Sequence, residues 1–376
     1  MLLLESCCPQ CDSQRIAALL ASLPDPKRLL SLAEHHGVIA QLSAAVEPLL
    51  ASPDCAPLAA ALRGSRKRQV LSTLALTAEL LRLSNLLRAD RVEAVAIKGP
   101  ALAIRAYGDS SARHYGDIDL LVRHDDIRRA SEILVSAGFH ARVSGYELQS
   151  GKTPGQYFFR RPDSGVIVEL HTERTLRYFP RRLPIDNFLQ RKTAVALGAR
   201  AIPALALEDE FVLISIHGAK HFWERLMWVS DVAALVHRHP QLDWRRVRQS
   251  ATEVGAERMV RLALFLAERC LRVPVPAEMK REVAGDAACP RIARKIETWL
   301  PYAGHEPPPL TERALFRLRM RGHWLAGARY LTRLSLSTTE EDWPAITDSN
   351  SKASSLRESL ARPFRLAKKY RRNPEA

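Results

Sequence analysis

The sequence predicts an α/β (α+β) protein, with a small mixed β-sheet core between a helical N-terminal region and a helical C-terminal region. Three observations carry this. Apolar residues recur at spacings of three and four from residue 12 to about 90, and again from about 208 to 336. Between those regions the pattern changes to short, β-branched apolar runs. Glycine and proline punctuate the changes of period. The expected organisation is a helical region over 1–90, an α/β core over 91–207, a helical domain over 208–336 and an irregular basic tail over 337–376.

The N-terminal helices are expected over "SQRIAALLASL", "PKRLLSLAEHHGVIAQLSAAVEPLL" and "VLSTLALTAELLRLSNLLRAD", with breaks at Gly37 and Pro48. "EAVAIKG" (Glu93 to Gly99) reads as a strand, and Gly99-Pro100 opens a helix over "ALAIRAYGD" that Gly108 ends. "DIDLLV" is the next strand. "DDIRRASEILVSAGF" follows as a helix with an acidic start and Gly138 as its stop. "GQYFFRR" and "GVIVELHTE" form a hairpin around Pro162-Asp163-Ser164-Gly165, and "KTAVALGARAIPAL" forms a smaller one turning at Gly198. "EDEFVLISIHGAKHFWERLMWVSDVAALVHRH" reads as one long or broken helix, and the prolines at 307–309 mark a linker.

The chain has 376 residues, 47% apolar and 26% charged, which fits an ordinary soluble globular protein. No run of about 18 uncharged apolar residues occurs, so no membrane span is expected. "MLLLESCC" lacks a basic n-region, and the expected location is cytoplasmic. The six cysteines are expected as free thiols. Cys8 and Cys11 have CxxC spacing, but a zinc site would need a second such pair. The net charge of +15 permits phosphate-bearing partners, nucleic acid included, although nucleic acid is not the favoured partner. The C-terminal stretch from 311 holds 14 Lys and Arg against 7 Asp and Glu.

The chemistry centres on "HYGDIDLLV". In a strand, Asp117 and Asp119 point to one face, while Ile118, Leu120 and Val122 take the opposite, core-facing side. Neighbouring carboxylates repel unless a cation neutralises them. Mg2+ is the expected neutraliser because it takes oxygen ligands and favours one or two carboxylates plus substrate phosphates. Mn2+ is a possible substitute. A third carboxylate, Glu169 of "VIVELHT", belongs to a later strand and can stand beside the pair, as a two-metal phosphoryl-transfer site requires. Alone, the pair equally fits a solvated strand end. Upstream, the amides at Gly99 can hold a phosphate, with Lys98 adding positive charge.

These residues resemble the uncharacterised bacterial nucleotidyltransferases of the DNA polymerase β-type superfamily. The resemblance lies in "AVAIKGPALAIRAYGDSSARHYGDIDLLV", "SEILVSAGF", "VIVELHTE" and "LISIHGAKHFWERLMWVSDVAALV". It implies a nucleotidyltransferase core that moves a nucleoside monophosphate from an NTP to a hydroxyl acceptor with release of pyrophosphate. It also implies Asp117, Asp119 and Glu169 as ligands of two Mg2+ ions, Gly99 as the junction glycine and Arg113 as a triphosphate contact. The chain departs from the superfamily's Gly-Ser junction, having Gly99-Pro100 preceded by Lys98. The alternative is a non-catalytic relative that binds a nucleotide or a partner, like one half of a toxin–antitoxin pair.

His217 and His221 are four apart on a predicted helix, with Asp231 fourteen residues beyond His217. Packed, hydrogen-bonded histidines are the first reading, a cleft-lining face the second and a metal site the last. His171 shares a strand face with Glu169 and can approach the same site. The tryptophans are expected in the core. Arg160, Arg161, Arg177, Arg181 and Arg182 are expected on the surface, with an entrance for an anionic acceptor as the sharper reading.

Overall fold

The computed structural model describes residues 1–50, 56–142, 155–173, 183–300, 310–322 and 327–328. The linker prolines at 307–309, the basic tail from 337, Arg177, Arg181, Arg182, Cys55, Trp324 and Trp343 lie outside these residues.

Four short helices open the chain: α1 (Leu2–Ser6), α2 (Ser13–Ala21), α3 (Pro26–His36) and α4 (Ile39–Val46). Their ends follow from the sequence. The Asp12 carboxylate accepts from the amides of Gln14 and Arg15 at the start of α2. Asp25 caps α3 in the same way, Pro26 fills its first turn, and Gly37 ends it at φ +68°. The long helix α5 (Ala56–Ala89) begins well before the leucine-rich stretch that predicted it. Among the described residues α5 is the one helix long and apolar enough to cross a membrane by length and composition. Its row Leu76, Leu80, Leu83 and Leu87 packs instead into a core shared with the sheet.

Seven strands form one mixed sheet: β1 (Ala94–Ala96), β2 (Asp117–Val122), β3 (His140–Ala141), β4 (Gln156–Arg160), β5 (Ile167–His171), β6 (Thr193–Leu197) and β7 (Arg200–Ala204). The spatial order is β3-β4-β5-β2-β1-β7-β6. β2 runs parallel to β5 and antiparallel to β1, while β1 runs parallel to β7. The two predicted hairpins are β4–β5 and β6–β7. Helix α6 (Gly99–Tyr107) joins β1 to β2, α7 (Ile127–Ser136) leads from β2 to β3, and α8 (Ile185–Gln190) precedes β6. The two-residue β3 and the one-and-a-half-turn α8 were too short to produce a periodic signal.

The sheet separates two apolar cores. Ile118, Leu120, Val122, Tyr157, Phe159, Val168 and Leu170 face the α5 and α7 side. Val95 and Leu121 belong to the other core. That core is completed by α9 (Leu207–Lys220), α10 (Leu226–Arg238), α11 (Trp244–Val254), α12 (Glu257–Leu271), α13 (Ala277–Gly285), α14 (Cys289–Trp299) and α15 (Leu310–Arg319). The stretch expected as one long or broken helix is broken, at His221–Arg225, between α9 and α10. Trp223, Trp228 and Trp244 are core residues. Cys7, Cys8, Cys11, Cys270 and Cys289 are free thiols.

Candidate active site

The site face of the sheet follows from pleating and register. Asp117, Asp119 and Leu121 project to one side of β2. The parallel pairing sets Glu169 of β5 beside Asp119 and His171 beside Leu121, so all these side chains share that side. β4 adds Gln156 and Phe158, the register partners of His171 and Glu169.

Asp119 is the hub. The Lys98 ammonium lies 2.9 Å from its Oδ2. His171 Nε2 lies 2.7 Å from its Oδ1 and 3.5 Å from Glu169 Oε2. Flanked by two carboxylates, His171 Nε2 carries the proton and donates. The Gln156 amide donates to the same Glu169 oxygen. Asp119, Glu169 and His171 offer ligand atoms all within 4.8 Å of one another, the one such group among the described residues. His171 closes this trio, and Asp117 lies outside its 4.8 Å limit. The cause is geometric. Asp117 is two residues farther along β2, roughly 6.6 Å, while Glu169 stands directly across a strand spacing of about 4.8 Å.

The charges behave accordingly. Burial would raise the Asp119 carboxyl, but the Lys98 ammonium and the His171 ring hold it well below the usual carboxylate range. Burial would lower His171, yet hydrogen bonds to Asp119 and Glu169 raise it. Glu169 is lowered, mainly by His171 working against burial. Asp117 is pushed up to about 6 by burial and by the Asp119 charge. Asp119 and His171 are buried, whereas Asp117, Glu169 and Lys98 are half-buried.

Lys98 sits at the β1–α6 turn with φ +59° and ψ −138°, an unusual conformation for a residue with a side chain. Gly99 follows at φ +50°. A methyl group on Gly99 or on Gly116 would meet nothing within 4 Å, so open space adjoins both the helix start and the β2 start.

Helix α9 supplies a second wall. His217 lies in the electrostatic field of Lys98. Burial first, and then that charge, press it well below its ordinary value. His221 is pushed down to about 3 by burial and by Lys220. The two rings stack near each other, 4.7 Å between centroids, and both pack on Trp228. Asp231 is far from serving them. It accepts from Arg113 Nε at 2.9 Å and from the Tyr107 hydroxyl at 3.0 Å. The metal reading of His217, His221 and Asp231 is therefore corrected, since a carboxylate committed to a buried guanidinium cannot also complete that site. Arg113, expected at the triphosphate, is buried in this ion pair and anchors β2 to α10. Arg161, expected on the surface with an entrance as the sharper reading, bonds Glu79 on α5 and stacks on Phe139. Lys220 went unnoticed in the sequence. Its ammonium lies within the field of Lys98, Glu169 and Asp119, and it makes no hydrogen bond or salt bridge among the described residues.

A family model described as an uncharacterised nucleotidyltransferase matches residues 22–272, two thirds of the chain. The chain belongs to that family. The matched span contains the whole sheet, α9, α10 and every site residue named above. No curated protein matches this nucleotidyltransferase. Among solved structures, an antigenic nucleotidyltransferase-like protein from Paracoccidioides brasiliensis is similar at 16% identity and a TM-score of 0.32. That match covers 54% of this chain and 94% of the other. A likeness that remote bears on no residue's role.

Proposed function

We propose that the protein transfers a nucleoside monophosphate from an NTP to the hydroxyl of a small molecule, peptide or protein, with loss of pyrophosphate. The observation that carries this is the register that sets Glu169 beside Asp119, with Asp117 two residues away on the same face. The donor set fits a divalent cation, Mg2+ or Mn2+, because it offers three carboxylates on one face, with Asp117 in no salt bridge among the described residues. Asp117, Asp119 and Glu169 would hold such ions, and His171 would orient the latter two carboxylates through its Nε2 proton. Bound there, a divalent ion supplies charge neutralisation at the phosphates and acidifies the acceptor hydroxyl.

The chain's own residues do the positioning. Lys98 and Lys220 place two ammonium groups for the triphosphate, next to the open space at Gly99. Glu169 is the carboxylate that receives the acceptor proton, oriented by Gln156 and His171. The acceptor oxygen attacks the α-phosphorus in line, the bond to the bridging oxygen breaks, and pyrophosphate leaves.

The test mixes the protein with Mg2+ or Mn2+ and each α-labelled NTP, and follows pyrophosphate release and label transfer, self-labelling included. Turnover that Asp119→Asn abolishes supports the proposal. Nucleotide binding without turnover under every pairing supports a non-catalytic relative instead. That reading draws on one observation, the Lys98 ion pair already seated on Asp119.

A further inference from the structure

We propose that Lys98 is a placeholder cation. Its ammonium occupies a cation position on Asp119 in the substrate-free protein, yields it to the incoming divalent ion, and moves onto the polyphosphate of the nucleotide. This rests on the reading of Asp119 as a cation ligand.

Both oxygens of Asp119 are already engaged, Oδ2 by Lys98 at 2.9 Å and Oδ1 by His171 at 2.7 Å. A divalent ion bonds a carboxylate oxygen at about 2.1 Å. Sharing Oδ2, it would stand roughly 4 Å from the Lys98 ammonium, where two positive charges repel strongly at a protein-like dielectric. The two cations therefore compete for one oxygen.

The backbone lets the side chain change partners without moving the fold. Lys98 is pinned at the β1–α6 turn, where the neighbouring Ile97 amide donates to the Asp119 carbonyl at 3.1 Å and the Lys98 carbonyl accepts from Leu102 at 3.1 Å. Only the four-carbon stem has to swing, and open space lies beside the adjoining Gly99. The destination is marked by Lys220. This second ammonium feels Lys98 as a repelling neighbour and has no hydrogen-bonding partner among the described residues. One ammonium held by a carboxylate and one without a partner make a pair that a polyanion completes.

It follows that the metal alone binds at the expense of the Lys98 ion pair, while metal and nucleotide together do not. The experiment measures free Mn2+ by its electron paramagnetic resonance signal at neutral pH without nucleotide. Lys98→Met is expected to bind Mn2+ at least tenfold more tightly than wild type. Lys98→Arg, which keeps the charge, is expected to bind it like wild type, and Asp119→Asn to lose it. In EDTA, a mant-labelled nucleoside triphosphate is expected to bind Lys98→Met at least tenfold more weakly than wild type. Circular dichroism melts establish that each variant folds, and Lys98→Gln replaces a Lys98→Met that does not. If wild type binds Mn2+ through Asp119 and neither neutral variant binds it more tightly, the placeholder role is overturned and the proposed function stands. If no form binds Mn2+ at millimolar concentration, the cation-ligand reading falls and this proposal with it.

Discussion

Asp119 and Glu169 are direct register partners on parallel neighbouring strands, and the His171 ring bridges their carboxylates from Nε2. This places two carboxylates and the ring that bonds both at a strand spacing from each other, a geometry set by the register of the sheet. Glu169→Gln keeps the shape and removes the charge. Turnover is expected to fall by about 10²–10³-fold, with the melting temperature little changed. Pyrophosphate release at saturating NTP measures it, and wild-type rates in the variant would remove Glu169 from the reacting set.

Asp117 sets a pH dependence. Its carboxyl is raised from 3.8 to about 6, so the folded chain holds this proton more tightly than the unfolded chain does. Stability from this group is therefore full below about pH 4 and declines as pH rises to about 6. Asp117→Asn is expected to stabilise the metal-free protein by about 1–3 kcal/mol at pH 8 and to leave it unchanged at pH 3. Urea unfolding at the two pH values reads the difference.

The Arg113–Asp231 pair is buried on both sides. Arg113→Met leaves the Asp231 carboxylate in the interior with only the Tyr107 hydroxyl, and is expected to cost about 3–5 kcal/mol. A double-mutant cycle with Asp231→Asn should recover part of that loss. Strict additivity in the cycle would show that the two groups do not interact.

Burial and the Lys98 charge lower Lys220, with Glu169 and Asp119 working against them. Lys220→Met should leave the fold as stable as before, or slightly more so, while weakening NTP binding by roughly tenfold or more. Fluorescence titration beside thermal unfolding separates the two effects. A loss of stability with unchanged binding would make Lys220 a structural residue.

Gly218 in α9 lies under the Trp223 ring, and a Cβ there would come within 2.7 Å of it. Trp223 is fully buried and its backbone is left-handed, so it has little room to retreat. Gly218→Ala is expected to destabilise the protein by about 1–3 kcal/mol, despite alanine's better helix propensity, as calorimetry can show.

The strands other than β3, and the face on which the aspartates lie, were legible because "DIDLLV" alternates and the longer apolar runs are bounded by turn signals. That Glu169 lies on a strand was also legible, since "VIVELHT" has the matching pattern. The pairing that sets it opposite Asp119 was not, because register between strands fifty residues apart leaves no periodic trace. His171 was singled out, but its reach past Glu169 to Asp119 depends on ring length and sheet geometry. Lys220 was missed because it ends a helix whose fold over the sheet is a tertiary fact. The ion pair of Arg113, which the family resemblance implied as a triphosphate contact, was not legible, because its partner Asp231 lies 118 residues away.

Arg113 leaves the sheet and finds its counter-charge on α10, so the strands are expected to depend on the helical cover. A fragment ending at the second hairpin would keep every strand and strand an arginine in the interior. Exchange of the sheet between relatives by recombination should survive only where α10 travels with it.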